Sequence, residues 1–232
     1  WPTLVSNFRD RFSVLDEPLI NAELNIFRWM NGLLGSKFLG SNPQIQNLVW
    51  GLDDMNPFTG VCHYSAGCRG FTTGCHGCPA VRSVFGNLAA KNLDKKISFA
   101  DHFKPQYVAP TDWIHNEFRS SVFAQNRNSI KILNPLPSKF FRQEKNAIKN
   151  TSILRVLIIA ASLDDPTKGL WDAIDSLKGI DEKTSVLLTL VGGASYKLKS
   201  SLPNSRFLGQ LDSDSIIGVM RDHDALLVPS LF

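Results

Sequence analysis

Leu154-Arg155-Val156-Leu157-Ile158-Ile159-Ala160-Ala161, a segment of helical period over 169–177, and then Ser185-Val186-Leu187-Leu188-Thr189-Leu190-Val191 decide the fold class. Short apolar strands separated by a helix-period segment are the signature of a parallel sheet covered by helices. The pattern continues toward the C-terminus with a strand over 206–208, a helix over 214–220 and a strand over 225–228. Together these make most of one Rossmann-like half-domain.

The same alternation runs through the first half. Strands are predicted over 23–27, 46–52, 107–109 and 129–133, with a helix over 112–124 for which Thr111, after Pro110, is the N-cap candidate. The polar, aperiodic stretch 141–151 reads as a linker. The expected organisation is therefore α/β, with two Rossmann-like domains, 1–145 and 146–232, both incomplete. They share pattern rather than sequence, and no internal repeat stands out.

Composition narrows the function classes. A chain of 232 residues with 43% hydrophobic residues can bury a substantial core. Its 25 Lys+Arg against 21 Asp+Glu give a net charge of +4, dispersed along the chain, unlike the basic stripe of a nucleic-acid binder. That balance leaves room for weak peripheral attraction to an anionic membrane surface. The longest apolar runs, 153–161 and 225–228, fall far short of the roughly 20 residues that span a bilayer. The chain opens on Trp1 without a signal-peptide pattern, so the expected location is the cytoplasm. The ending, 224–232, reads as a buried strand running into a loop, and the expectation is a fragment.

The densest chemical signal is Asp53-Asp54-Met55-Asn56-Pro57-Phe58-Thr59-Gly60-Val61-Cys62-His63-Tyr64, directly after the strand over 46–52. Loops at the carboxyl ends of parallel strands are where such folds place their sites. Asp53 and Asp54 suit acid/base work or cation binding, and equally the opening of a turn. Cys62, Cys68, Cys75 and Cys78 follow with spacing C-x5-C-x6-C-x2-C, beside His63 and His76 and among glycines. In a reducing compartment this set favours a structural zinc site, because tetrahedral Zn²⁺ takes four thiolates; a redox or disulfide pair and unliganded thiols are the alternatives.

In the second half, Pro166-Thr167-Lys168-Gly169 opens a helix after a strand. An ammonium beside helix-start N–H groups suits a diphosphate, although an exposed lysine near a helix start would read the same. Val191-Gly192-Gly193 reads as a weak phosphate-loop candidate or a plain turn.

Phe27-Arg28-Trp29-Met30-Asn31-Gly32-Leu33-Leu34, Val49-Trp50-Gly51-Leu52 with the Asp53 to Tyr64 stretch above, and Cys75-His76-Gly77-Cys78-Pro79 together resemble the family 4 glycosyltransferases of bacterial surface-polysaccharide synthesis. That family reads L-H-W-[IV]-N-G-F-L, then V-W-T-L-H-D-M-[NW]-P-F-T-G-G-C-H-Y, then a Cys-rich loop closing in C-x-x-C-P. Further similarity lies in Val108-Ala109-Pro110-Thr111-Asp112-Trp113, Ile132-Leu133-Asn134-Pro135-Leu136, Lys168-Gly169, Phe207-Leu208-Gly209 and Val228-Pro229-Ser230-Leu231.

The resemblance implies the two-domain GT-B architecture and transfer of a sugar from a nucleotide-sugar donor to a polysaccharide or lipid-linked acceptor at the inner membrane face. It implies that Lys168 and Gly169 hold the donor diphosphate without a required cofactor, and that the loop with Thr59 and Gly60 faces the acceptor. Asp53 stands where the family has a catalytic His, and Arg28 where it has the His of L-H-W. Phe232 falls where the acidic E-x7-E donor motif should begin, so this chain alone is expected to be inactive. The rival expectation is a non-catalytic, zinc-stabilised binding module derived from a transferase. A bare Rossmann-type cofactor domain ranks last, because no G-x-G-x-x-G follows any strand.

Overall fold

The computed structural model describes residues 22–29, 45–82, 85–141, 153–180 and 185–231. The chain divides into two compact units that meet between Pro135 and Leu136. The predicted boundary after 145 and nearly all of the predicted linker lie outside the described residues.

The first unit is a parallel sheet in the order β1 (Asn25–Phe27), β2 (Leu48–Gly51), β3 (Gln106–Ala109), β4 (Ser129–Lys131). Its register aligns Phe27 with Trp50, Trp50 with Tyr107 and Tyr107 with Ser129. Among the described residues, two helices accompany it, α1 (Leu88–Phe103) and α2 (Asp112–Ser120). Thr111 caps α2 as predicted, its hydroxyl accepting from Ile114 N at 3.3 Å. The predicted helix over 112–124 divides at Ser121, whose extended backbone separates α2 from a short 3-10 turn, Val122–Ala124. The core is aromatic: Phe58, Phe71, Tyr107, Phe118 and Phe123 are all at most 2% exposed. Phe58 meets Phe118 edge-on with ring centres 5.7 Å apart.

The second unit is a parallel sheet in the order β7 (Arg206–Gly209), β6 (Ser185–Gly193), β5 (Ile153–Ser162), β8 (Ala225–Leu227). Its helices among the described residues are α3 (Leu170–Leu177), α4 (Tyr196–Ser201) and α5 (Ser213–Arg221). Val156, Leu157 and Ile158 at the middle of β5 are almost fully buried, as befits a central strand covered on both faces. From β5 the chain builds outward through β6 to β7, then returns to the other side of β5 as β8. The gap between the carboxyl ends of β5 and β8 is thus a topological switch point, the place where open α/β sheets bind ligands.

Both units are α/β with four parallel strands, an architecture compatible with Rossmann-like domains. Among the described residues, no helix is long and apolar enough to cross a membrane.

Candidate functional site

The loop after β2 is built inward. Between Leu52 and Val61 only Asp53 is not buried. Asp54, 3% exposed, accepts from Asn56 N at 2.8 Å through one carboxylate oxygen and pairs with His63 Nδ1 through the other. One oxygen of Asp54 thus closes the turn and the other orients an imidazole. His63 is itself 2% exposed, and its ring lies 4.9 Å from that of Trp29.

Beneath this loop sits a residue that sequence reasoning passed over. Lys96, on α1 and 1% exposed, donates from Nζ to Asn56 O at 2.6 Å, Asn56 Oδ1 at 3.0 Å and Thr59 O at 2.8 Å. Three N–H groups meeting three acceptors match a tetrahedral ammonium. Burial nevertheless pushes the group down to about 7, with Asp54 opposing that shift. Thr59 gives its hydroxyl to Cys62 O at 2.6 Å. Gly60 is pressed so closely on α1 that a Cβ there would stand 2.3 Å from Ala89 O. Thr59 and Gly60 thus fasten the loop to the helix.

The exposed rim of this site carries the two positions that depart from the resembled motifs, and they bind each other. Arg28 follows β1, Asp53 follows β2, and the guanidinium grips both carboxylate oxygens, with Nε to Oδ2 at 3.0 Å and a second contact from Nη2 to Oδ1. Arg28 Nη2 also donates to Asn134 Oδ1, beyond β4, at 3.0 Å. The Asp53 carboxylate raises the Arg28 guanidinium further above its ordinary value. A bidentate pair of this kind leaves Asp53 engaged as an acceptor rather than poised as a base.

The four thiols lie between β2 and α1. Gly60 N donates to Cys75 Sγ at 3.3 Å and Gly70 N to Cys68 Sγ at 3.4 Å. All four cysteines are free of disulfides. Burial, followed by the neighbouring Cys78, Cys75 and Cys68, pushes the Cys62 thiol up to about 12, and burial raises Cys75 as well. Among the described residues, no three His, Cys, Asp or Glu side chains are already arranged to hold a metal ion.

In the second unit, the loop from β5 to α3 occupies the switch point. Asp165 accepts from Thr167 N at 2.9 Å and Thr167 Oγ1 at 2.7 Å, closing the turn Pro166–Lys168. Leu231 N donates to Thr167 O at 2.9 Å, joining this loop to the segment beyond β8. Gly169 has φ +62°, and a Cβ there would stand 2.0 Å from Pro229 O. Lys168 is half-buried, and among the described residues its ammonium forms no ion pair or hydrogen bond. Asp164 is turned away to cap α4, accepting from Ser195 N and Ser195 Oγ, both at 2.6 Å. Those bonds hold its carboxyl below the usual range. The weak loop candidate Val191-Gly192-Gly193 is instead the end of β6, with Gly192 set against the Ala160 carbonyl.

Comparison with protein-family models and with curated proteins finds no match for this chain. Two clusters therefore stand on their own geometry: the Asp54–His63–Lys96 loop of the first unit and the Lys168–Gly169 loop of the second.

Proposed function

We propose that this chain is part of a glycosyltransferase of the GT-B type, with the diphosphate of a nucleotide-sugar donor bound on its second unit. The observation that carries the reading is the position of Lys168 at the β5/β8 switch point, where Gly169 and the backbone of Pro229 leave no room for a side chain. Lys168 and the N–H groups opening α3 supply positive potential where the leaving nucleoside diphosphate gathers charge. The sequence resemblance supports a saccharide or lipid-linked acceptor and peripheral membrane contact.

Calorimetric titration with UDP and GDP tests the donor site. Lys168→Ala is expected to weaken binding of at least one nucleotide about tenfold or more, the equivalent of one lost charge-assisted contact. Absence of heat with both nucleotides, or an unchanged affinity in the variant, would sink the assignment.

One observation favours the second reading, a non-catalytic module stabilised by zinc: Asp53, at the position of the resembled catalytic His, is bound by Arg28. In that reading Cys62, Cys68, Cys75 and Cys78 would close around Zn²⁺, with Gly60 N and Gly70 N already donating to the Cys75 and Cys68 sulfurs. Metal analysis of protein purified under reducing conditions is expected to find about one zinc per chain, lost in Cys75→Ser. Metal-free protein that keeps its thermal stability would remove zinc from both readings.

A further inference from the structure

Trp29 leaves the carboxyl end of β1 in a conformation that its side chain resists. Its φ is +47°, in the left-handed region where a bulky L-residue is an outlier. Core packing does not account for the position, since the residue is 48% exposed. Backbone strain of this kind persists only where the surroundings enforce it, and it gathers at ligand sites.

The exposed indole rests on a fixed support. Its ring centre lies 4.9 Å from that of His63, with the two planes inclined by 34°. His63 is buried, and its Nδ1 is bound by the buried Asp54 carboxylate, whose other oxygen holds Asn56 N. The imidazole cannot turn away without breaking that pair, so the fold backs the indole from below and leaves the rest of the ring to solvent.

Polar groups gather at the same edge of the sheet. Arg28 precedes Trp29 after β1, Asp53 adjoins Asp54 after β2, Asn134 lies beyond β4, and Arg28 binds the other two. Among the described residues, Arg28 Nη1 and Asn134 Nδ2 take no acceptor, so both keep N–H donors. The Asp53 oxygens, each bound once by Arg28, retain accepting capacity. The ion pair is neutral as a whole, and a phosphate or carboxylate could reach the guanidinium only by facing the Asp53 carboxylate that fills its fork. Donors and acceptors without net charge, beside a flat apolar ring, suit a pyranose: its C–H face lies on the indole and its hydroxyls meet the rim. Thr59 and Gly60, which the resemblance would turn toward an acceptor, are buried and cannot make this contact.

We propose that Trp29 is a saccharide-stacking platform, with Arg28, Asp53 and Asn134 as its polar rim, and that the sugar it holds is the acceptor. The acceptor role rests on the transferase reading, whereas the sugar contact is read from the first unit alone.

The test is ¹H–¹⁵N NMR of the full chain, whose five tryptophans give five indole N–H signals; Trp29→Phe assigns the one that matters. Glucose, galactose and N-acetylglucosamine are titrated separately, with uridine and inorganic phosphate as contrasting probes. At least one sugar should move the Trp29 signal saturably, uridine and phosphate should leave it in place, and the sugar response should persist in Lys168→Ala. Trp29→Gly removes the platform and accepts the left-handed backbone, so it should weaken sugar binding about tenfold while holding the thermal midpoint within about 3 °C of the parent's. Asn134→Ala, at the exposed rim, should weaken binding about threefold to fivefold. The proposal is overturned if no sugar moves the Trp29 signal, if uridine or phosphate moves it as the sugars do, or if both variants bind sugar as the parent does. A sugar response in a chain that binds neither UDP nor GDP would confirm the platform and count against the donor assignment, and nucleotide binding without a sugar response would do the reverse.

Discussion

Lys96→Ala is expected to lower the stability of the first unit by about 4 kcal/mol, as read by denaturant unfolding with hydrogen exchange resolving each unit. The truncation leaves a cavity in the core, and it strands Asn56 O, Asn56 Oδ1 and Thr59 O without their donor. Lys96→Met separates the two effects: the stem is kept, the three acceptors are still orphaned, and about 2 kcal/mol of loss should remain. In both variants exchange should rise most at residues 54–63, because Lys96 ties that loop to α1.

The same residue sets a pH dependence. Lys96 titrates at about 7 in the folded chain against an ordinary value of 10.5, so between those values the unfolded chain binds the extra proton. Stability therefore rises with pH across that window, and below pH 7 this group adds no slope. Above about pH 9 the buried thiols act the other way, since Cys62 holds its proton up to about 12 against an ordinary 9.0. The rise is expected between pH 7 and 9, and it should vanish in Lys96→Met. A parent protein flat over that interval, or a Met variant with the parent's slope, would show that Lys96 stays charged in the fold.

Lys96 also explains why part of the fold was not legible. The strands β5, β6, β7 and β8 and the helices α3 and α5 could be read from runs of apolar residues and from period, most plainly at β5 and β6, whose middles are buried on both faces. The helix α1 left none. Its buried face runs through Ala89, Asn92, Leu93, Lys96, Phe99 and Ala100, and the two polar members interrupt the apolar stripe that would have announced it. Lysine is almost never fully buried unless paired, so nothing in the sequence alone suggested that Lys96 faces inward. The short helix α4 has six residues, too few for a period to declare itself.

The candidate site was legible to the same degree. The stretch from Asp53 to Tyr64 stood out, and the structure does bring Asp54 and His63 together within it. The Arg28–Asp53 pairing spans 25 residues of sequence and required the parallel register of β1 on β2 to become visible. The two departures from the resembled motifs were separate facts in the sequence; in the fold they are one interaction. Being partly exposed, that ion pair adds little stability, and its consequence is chemical: it occupies the carboxylate.

Gly169→Ala is expected to damage the second unit severely at its switch point, with a loss of about 3 kcal/mol. Alanine at φ +62° carries a left-handed penalty of about 1 kcal/mol. The larger share comes from contact, since its Cβ would stand 2.0 Å from Pro229 O, where ordinary contact begins near 3.4 Å. The obstacle is a carbonyl of the main chain, so no rotamer change relieves it, and the segment beyond β8 must move away from the Pro166–Lys168 turn. The hydrogen bond from Leu231 N to Thr167 O would go with it. Hydrogen exchange should consequently accelerate at Leu231 and at the start of α3, and UDP or GDP binding should be lost although the Lys168 ammonium is intact. Lys168→Ala makes the opposite combination, with binding weakened and stability within about 0.5 kcal/mol of the parent, because its half-exposed side chain has no protein partner among the described residues. If Gly169→Ala unfolded the switch point yet nucleotide affinity survived, the diphosphate would have to bind elsewhere. If the two variants were indistinguishable in stability, the close approach of Gly169 to Pro229 would not be what holds this loop.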